Sequence, residues 1–364
     1  MKKILVSLIP ICFCFSHLDA AKIKILAIGN SFSEDAVENY LYDIAAAADD
    51  TLIIGNMYIS GCSLETHRNN ANTAAAVYSY RKINEEGIKT VAENKRLSEA
   101  IADEAWDYIS FQQVSQNSGM YDTYFPYLPD LLAYVQSLAA NPQVKYVLHQ
   151  TWAYAQTSTH SGFANYNNNQ TTMYEAIVNT VFRIASEVGI DRVIPSGTAI
   201  QNVRTSYIGD NLCRDGFHLD TGLGRYTAAC TWYEKLTGKS VMENTFVPAG
   251  LSLRKTELAR TAAHNAVLSP QSVTDLHDFY IIPDAGTFIL MNPVYINFGN
   301  RQAPVPWNNV SGFEQGVSLA SLLDTLENET PLKIEITDAF CGVNFNGPDQ
   351  GLTSSEWNLP PAAT

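Results

Sequence analysis

The chain has 364 residues, enough for two or three domains, and 46% of them are hydrophobic, so it can bury a sizeable core. Length and composition together exclude a peptide, a linker or a fibre. Lys and Arg total 23 against 37 Asp and Glu, which gives a net charge of −14 at pH 7. This acidic balance disfavours nucleic acid and anionic membrane surfaces as partners.

The amino terminus predicts an exported protein. Two lysines precede an apolar run from Ile4 to Phe15, which is too short to span a bilayer, and small residues follow at positions 20 and 21. We therefore predict a cleaved signal peptide over residues 1–20 and a secreted, periplasmic or cell-surface protein. A lipoprotein acylated at Cys12 or Cys14 is the alternative, although the residues before Cys12 make a poor recognition sequence. No later segment has about 18 consecutive apolar residues, so no transmembrane segment is predicted.

Short β-rich runs alternate with helical patterns over residues 22–272. Such alternation is typical of parallel β-α-β units joined by right-handed crossovers. We therefore predict an α/β domain over 22–272, a three-layer α/β/α sandwich with about five parallel strands. The predicted strands are Ile23–Ile28, Leu52–Ile59, Tyr108–Phe111, Val144–His149 and Arg192–Pro195. The predicted helices are Asp35–Ala48, Glu93–Glu104, Tyr127–Leu138, Gln170–Val188, Gly222–Thr237 and Arg254–Val267.

After residue 272 the pattern changes to apolar-polar alternation with turn residues between the runs, as in short strands. We predict a small all-β module over residues 273–364. A β-sandwich needs about 100 residues, so this module is predicted to be incomplete. Its predicted strands are Tyr280–Ile282, Thr287–Met291, Val294–Phe298 and Leu332–Ile336.

The common motifs for cofactors and metals are missing. The chain has no Gly-x-Gly-x-x-Gly, no Walker-type glycine loop and no His-Glu-x-x-His, so no cofactor is predicted. The cysteines after the signal peptide form no Cys-x-x-Cys pair and have no histidine at ligand spacing, which argues against a metal site. A disulfide between Cys213 and Cys230 is possible in an oxidising compartment, and buried free thiols are the alternative that we favour. These cysteines are Cys62, Cys213, Cys230 and Cys341.

A candidate nucleophile follows the first predicted strand, in Gly29-Asn30-Ser31-Phe32-Ser33. A serine there lies at the carboxyl edge of a parallel sheet, where open α/β folds bind ligands, and a helix amino terminus stabilises nearby negative charge. The plainer alternative is that Ser31 and Ser33 only cap the helix.

A candidate base lies near the end of the predicted α/β domain, in Asp215-Gly216-Phe217-His218. An Asp and a His three residues apart can fold back so that the carboxylate accepts the imidazole Nδ1–H. Nε2 is then free to take a proton from a serine. Because the ends of parallel strands meet at one sheet edge, we expect Asp215 and His218 to meet Ser31 there.

These two segments resemble the first and last blocks of the SGNH/GDSL hydrolases, in which a serine follows strand one and Asp-x-x-His comes last. Asn30 stands where many members have Asp, and Gly61 matches the glycine after strand two. The third block, usually Gly-x-Asn-Asp, is replaced by Phe111-Gln112-Gln113-Val114-Ser115. The chain in this respect looks like a bacterial secreted subgroup with glutamine after strand three.

The resemblance implies Ser31 as nucleophile, His218 as general base and Asp215 as the group that orients His218. The oxyanion hole would use the backbone N–H groups of Ser31 and Gly61, with the side-chain amide of Gln112 or Gln113 as the third donor. The resemblance leaves open which glutamine points inward.

Four further side chains are weaker candidates for binding substrate. Trp152 follows the fourth predicted strand and could stack on a sugar ring, with core packing as the alternative. Asn30, beside the serine, could also contact substrate. His67 and Arg68 could bind an acidic group, with a solvated loop as the plainer interpretation.

The resulting hypothesis is a secreted, metal-independent serine esterase that removes O-acyl groups, above all acetyl, from carbohydrates. The carbohydrate part comes from the resemblance and from the aromatic and Asn-rich loops. A lipase or thioesterase with the same triad is one rival, and it would need an apolar channel near Phe32, Met120 and Tyr121. A catalytically impaired glycan-binding surface protein is the other rival.

Overall fold

The computed structural model describes residues 22–280, 292–298, 302–310, 312 and 314–336. Within this part, a seven-stranded sheet has the order β4-β3-β2-β1-β5-β6-β7. Its strands are β1 Lys22–Gly29, β2 Thr51–Tyr58, β3 Tyr78–Ile83, β4 Lys89–Lys95, β5 Tyr108–Phe111, β6 Lys145–His149 and β7 Arg192–Ile194. The predicted signal peptide and the predicted strand Thr287–Met291 lie outside the described residues.

Five strands of this sheet, β2-β1-β5-β6-β7, are parallel throughout. The prediction of a parallel α/β sheet with five such strands is therefore confirmed. The central strands are covered on both faces, as their continuous apolar sequences require: β5 is buried at every position. The carboxyl ends of all five strands meet at one edge, and the candidate site lies there.

Nine α-helices accompany the sheet within residues 22–280. One group of contacting helices comprises α1, α2, α7, α8 and α9, and a second comprises α3, α4 and α5, while α6 contacts α7 and β7. Because the strands are buried on both faces, the two groups cover opposite faces of the sheet. The helices are α1 Ser31–Val37, α2 Leu41–Ala46, α3 Leu64–Thr73, α4 Leu97–Asp103, α5 Tyr127–Leu138, α6 Gln170–Glu187, α7 Ser196–Arg204, α8 Leu223–Thr237 and α9 Leu253–Leu268. Short 3₁₀ helices span Ser115–Asn117, Tyr121–Tyr124, Ser161–Tyr166 and His277–Tyr280.

The antiparallel hairpin β3–β4 extends the sheet beyond β2 and was not predicted. The prediction of a helix over Glu93–Glu104 is wrong at its start, because β4 continues to Lys95 and α4 begins only at Leu97. The predicted helix Asp35–Ala48 is in fact two helices, and the first of them begins earlier, at Ser31.

The region after residue 291 is β-rich, as predicted, although its described strands are only two residues long. They form three two-stranded ladders. The boundary at residue 272 stays a prediction. The short strands are β8 Ile296–Asn297, β9 Asn308–Asn309, β10 Ser318–Leu319, β11 Leu322–Leu323, β12 Glu329–Thr330 and β13 Ile334–Glu335.

Candidate active site

Ser31 is the first residue of α1, directly after β1. Asn30 caps the helix: its side-chain Oδ1 accepts the backbone N–H of Phe32 at 3.0 Å. Because Asn30 performs the capping, the hydroxyl of Ser31 is free for another partner. The first N–H groups of a helix have no intrahelical acceptor, so the backbone amide of Ser31 is one of the donors that face this edge.

The Asp215–His218 turn reaches Ser31 from the far end of the domain. The Oδ1 atom of Asp215 accepts the backbone N–H of His218 at 2.8 Å and that of Phe217 at 3.2 Å. The Oδ2 atom lies 2.6 Å from His218 Nδ1, and His218 Nε2 lies 2.8 Å from Ser31 Oγ. The structure thus brings the three predicted side chains into one hydrogen-bonded chain.

The carboxyl group of Asp215 stays ionised in this turn. Partial burial would raise its pKa, but the hydrogen bonds from the side chain and backbone of His218 and from the backbone of Phe217 outweigh burial and hold the pKa below its usual value. The carboxylate therefore accepts the Nδ1–H of His218, which leaves the Nε2 lone pair directed at the serine hydroxyl. Such an arrangement can remove the hydroxyl proton during attack on a carbonyl.

A buried carboxylate that sequence reasoning missed joins the serine helix to the histidine turn. Asp35 lies one helical turn after Ser31 and is 1% exposed. It pairs with Arg214 at 3.0 Å and with Arg225 at 2.8 Å, and it accepts the backbone N–H of Leu219 at 2.9 Å. Arg214 and Leu219 flank the Asp215–His218 turn on both sides. The sequence signal was the two arginines near Asp-x-x-His, which are unusual in a chain with few basic residues.

Gly61 lies in the exposed loop after β2 with φ +60°, a conformation that favours glycine. The next residue is tied to the serine segment, because Asn30 Nδ2 donates to the carbonyl of Cys62 at 3.0 Å. The loop that carries the Gly61 amide is thereby linked to the residue that caps α1.

The two glutamines after β5 point to different places. The Gln113 amide nitrogen donates to the carbonyl and the hydroxyl of Thr123, at 2.8 and 3.1 Å, and its Oε1 accepts the N–H of Leu64. The Gln113 amide nitrogen thus points to Thr123 and the residue is 2% exposed, which contradicts the prediction of Gln113 as an oxyanion donor. Gln112 instead donates to Asn30 Oδ1 at 2.8 Å.

The side chains predicted as weaker candidates for substrate binding are instead engaged within the protein. Trp152 is fully buried and stacks on Phe32 with ring centroids 4.4 Å apart, so it packs in the core and cannot stack on a sugar. Asn30 is 1% exposed and bonded within the protein, so it holds structure instead of substrate. His67 is buried in α3 against the Tyr78 hydroxyl, and Arg68 pairs with Asp130. Neither residue lies in a solvated loop, nor is His67 accessible to an acidic group.

The described cysteines, Cys62, Cys213 and Cys230, are free thiols, so the possible disulfide between Cys213 and Cys230 is absent. Cys62 and Cys230 are buried, as the favoured alternative predicts, whereas Cys213 is half-buried. Cys341 lies outside the described residues. Within the described residues, no three or more His, Cys, Asp or Glu side chains form a group that could hold a metal ion. No helix in the same part of the chain has the length and apolar character needed to cross a membrane.

At the carboxyl edge of the sheet, a serine hydroxyl, an imidazole and a carboxylate thus follow one another in a hydrogen-bonded series. The chain itself belongs to the family of a domain of unknown function, DUF4886, whose model matches residues 24–266. It is similar to the crystal structure of a DUF4886 family protein from Bacteroides uniformis, with 52% identity and a TM-score of 0.69. The match covers 70% of this chain and 98% of the other.

More distant matches among solved structures have TM-scores below 0.5. A catalytic mutant of Axe2, an acetylxylan esterase from Geobacillus stearothermophilus, has 16% identity and a TM-score of 0.37, over 60% of this chain and 96% of the other. The structure of TesA has 13% identity and a TM-score of 0.37, over 59% and 98%. No curated protein sequence matches the chain.

Proposed function

We propose that this protein is a serine esterase with Ser31 as nucleophile, His218 as general base and Asp215 as the group that orients His218. The observation that carries the proposal is the Ser31–His218–Asp215 chain, with links of 2.8 and 2.6 Å. The 2.8 Å link lets His218 take the serine proton without rearrangement of the protein, and the 2.6 Å link holds the imidazole with Nε2 directed at the serine. The site needs no cofactor for this chemistry.

The reaction has two steps. Ser31 Oγ attacks the ester carbonyl while His218 Nε2 takes the hydroxyl proton, and the backbone amides of Ser31 and Gly61 stabilise the oxyanion. The C–O bond to the alcohol then breaks, and His218 returns the proton to the leaving oxygen. Water, deprotonated by His218, releases the acid from the acyl-enzyme, and the proton returns to Ser31 Oγ.

We propose small acyl groups, above all acetyl on carbohydrates, as the substrates of an exported protein. The contacts of the candidate channel residues support small groups over long chains. Phe32 is buried against Trp152, Met120 is 38% exposed, and the Tyr121 hydroxyl bonds to Glu187. Two of the three side chains are thus engaged within the protein, which disfavours a channel for a long acyl chain and with it the lipase or thioesterase alternative.

The first experiment is hydrolysis of 4-nitrophenyl acetate and octanoate by the wild type, Ser31→Ala and the matched control Ser33→Ala. The Ser33 hydroxyl is engaged with the Asn30 carbonyl and with Asn56, so it is not available as a nucleophile. We expect acetate hydrolysis and fluorophosphonate labelling in the wild type and Ser33→Ala, and neither in Ser31→Ala. Acetate release from acetylated polysaccharides then tests the carbohydrate. Equal rates in all three proteins would refute the esterase.

A glycan-binding role is the second candidate, because one observation favours it. Tyr295 and Trp307 in the β-rich region are about two-fifths exposed and stack with ring centroids 4.9 Å apart. Exposed aromatic rings suit contact with the apolar face of a sugar. Glycan binding that is lost in Trp307→Ala, in a protein that fails to label at Ser31, would favour this function over hydrolysis.

A further inference from the structure

Buried polar groups form a line along the carboxyl edge of the parallel sheet, beneath the proposed active site. Each of the five parallel strands ends on one of these polar groups or is followed by one. In sheet order from β7 to β2, the members are Ser196, His149, Gln112, Asn30 and the carbonyl of Cys62. The line therefore crosses the whole parallel part of the sheet.

Neighbouring members are joined by hydrogen bonds without a gap. Ser196 Oγ lies 3.0 Å from His149 Nε2, and His149 Nδ1 lies 2.9 Å from Gln112 Oε1. Gln112 Nε2 donates to Asn30 Oδ1 at 2.8 Å, and Asn30 Nδ2 donates to the Cys62 carbonyl at 3.0 Å. His149, Gln112 and Asn30 are each at most 2% exposed. Buried groups of this kind hold their partners firmly because no water competes for them.

All four bonds run in one direction. Asn30 must place its oxygen toward the Phe32 N–H, so the Gln112 amide nitrogen has to face Asn30. The Gln112 oxygen then accepts from His149 Nδ1–H. Burial lowers the pKa of His149 to about 3, so this ring is neutral and its Nε2 accepts the Ser196 hydroxyl proton. Each group in the line therefore donates to the next one, from Ser196 after β7 to the Cys62 carbonyl in the loop after β2.

We propose that Gln112 and His149 are positioning residues that fix the orientation of Asn30 and, through it, the spacing between the Ser31 helix and the Gly61 loop. Asn30 is the junction, because its oxygen caps α1 at Phe32 and its nitrogen holds Cys62. The two proposed oxyanion amides, of Ser31 and Gly61, lie on the two segments that Asn30 joins. This inference rests on the proposed esterase function.

The first test is Gln112→Met, which keeps the length and volume of the side chain and removes both hydrogen bonds. We expect kcat for 4-nitrophenyl acetate to fall about 100-fold with KM within about threefold, because misplaced oxyanion donors affect the transition state more than binding. The matched control is Gln150→Met. Gln150 is equally buried and adjacent to His149, but its side-chain oxygen bonds to Thr198, outside the line. We expect it to keep the wild-type kcat.

A second pair of variants separates positioning from packing. His149→Asn keeps an amide donor near the position of Nδ1 but leaves a cavity, whereas His149→Phe fills the space beside Trp232 and has no donor. We expect His149→Asn to melt at the lower temperature and to keep the higher kcat. Packing alone predicts the opposite order of activity. Melting temperatures and kcat are measured on the same samples.

The outcomes distinguish this inference from the function on which it rests. A wild-type protein without Ser31-dependent hydrolysis overturns the esterase itself. An active wild type with an equally active Gln112→Met overturns the positioning role alone. Activities of the two His149 variants that simply follow their melting temperatures also overturn it. The positioning role is supported if kcat falls in Gln112→Met and His149→Phe and is retained in His149→Asn and Gln150→Met.

Discussion

Asp215 partners His218 as a carboxylate in the proposed reaction. The side-chain and backbone hydrogen bonds to Asp215 outweigh the effect of its partial burial and keep its pKa below the usual value. Asp215 is therefore a fixed negative charge near neutral pH, and it holds the imidazole in the orientation that serves Ser31.

We predict that protonation of Asp215 adds nothing to the acid side of the log kcat/KM profile for 4-nitrophenyl acetate near neutral pH, because its pKa lies below the usual value. In Asp215→Asn the imidazolium loses its partner, so kcat should fall about 10³–10⁴-fold while substrate binding changes little. The pH-rate profiles of both proteins check this. A slope of two in the wild type would show that Asp215 also titrates in that range.

For single residues, the sequence was sufficient to predict spatial proximity where the positions after strands and the spacing of two residues determine it. Ser31, Asp215 and His218 follow from their places after strands and from the Asp-x-x-His turn. It was insufficient for Gln112 and Gln113, because adjacent residues just after a strand can turn either way. Only the packed loops determine that one bonds to Thr123 and the other to Asn30. The burial of Trp152 likewise depends on the ring of Phe32.

At the scale of elements, helix α1 and the turn before α8 are held together by charge. Asp35 on α1 is nearly inaccessible and contacts two arginines and a backbone amide of the turn segment. Removing one partner of a buried ion pair leaves the others poorly solvated. The relative position of Ser31 and His218 therefore depends on a residue that touches neither.

We predict that Asp35→Asn lowers the free energy of unfolding by about 3 kcal/mol, because Arg214 and Arg225 lose their shared carboxylate. We also expect a lower kcat, since the turn that holds His218 is no longer fixed to α1. Urea unfolding followed by tryptophan fluorescence, with 4-nitrophenyl acetate assays on the folded protein, measures both. An unchanged unfolding midpoint would contradict the proposed bracing.

The parallel strands could be predicted because they are apolar and follow one another with helices between. The hairpin β3–β4 could not, because its outer strand is polar and mostly exposed, without the alternation that marks a half-buried strand. The charged residues of β4 belong to an edge strand. One of them, Lys89, forms an ion pair with the buried side chain of Glu38, at the end of α1. Tertiary ion pairing, and not local pattern, places this element.

For the whole molecule, acid stability depends on histidines buried in neutral form. Burial lowers the pKa of His149 to about 3 and, against a smaller opposing hydrogen bond from the Gly29 backbone, that of His67 to about 4. Below an unfolded pKa of about 6.5 the unfolded chain binds protons that the folded chain does not. The free energy of unfolding therefore falls as the pH is lowered through this range.

We predict that His67→Phe, which keeps a ring against Tyr78, flattens this dependence. Each such histidine contributes a slope of about 1.4 kcal/mol per pH unit between about pH 6 and pH 5, and the variant lacks one of them. Chemical denaturation at several pH values compares the two slopes. Parallel curves for the wild type and the variant would mean that His67 is protonated in the folded protein.

The proposed chemistry needs only part of the chain. All residues assigned to the site lie between Asn30 and Leu219, and the similar structure from Bacteroides uniformis is covered almost completely by 70% of this chain. The described β-rich region contacts this part through exposed or half-exposed pairs such as Lys255 with Glu329, at 3.2 Å, which contribute little to stability.

We therefore expect a chain ending at residue 280 to fold and to hydrolyse 4-nitrophenyl acetate with kcat/KM within about threefold of the full chain. Acetate release from polysaccharides should fall further if Trp307 and Tyr295 bind the glycan, and the ratio of the two activities measures that contribution. Loss of the small-ester activity in a folded truncated protein would show that the β-rich region completes the active site.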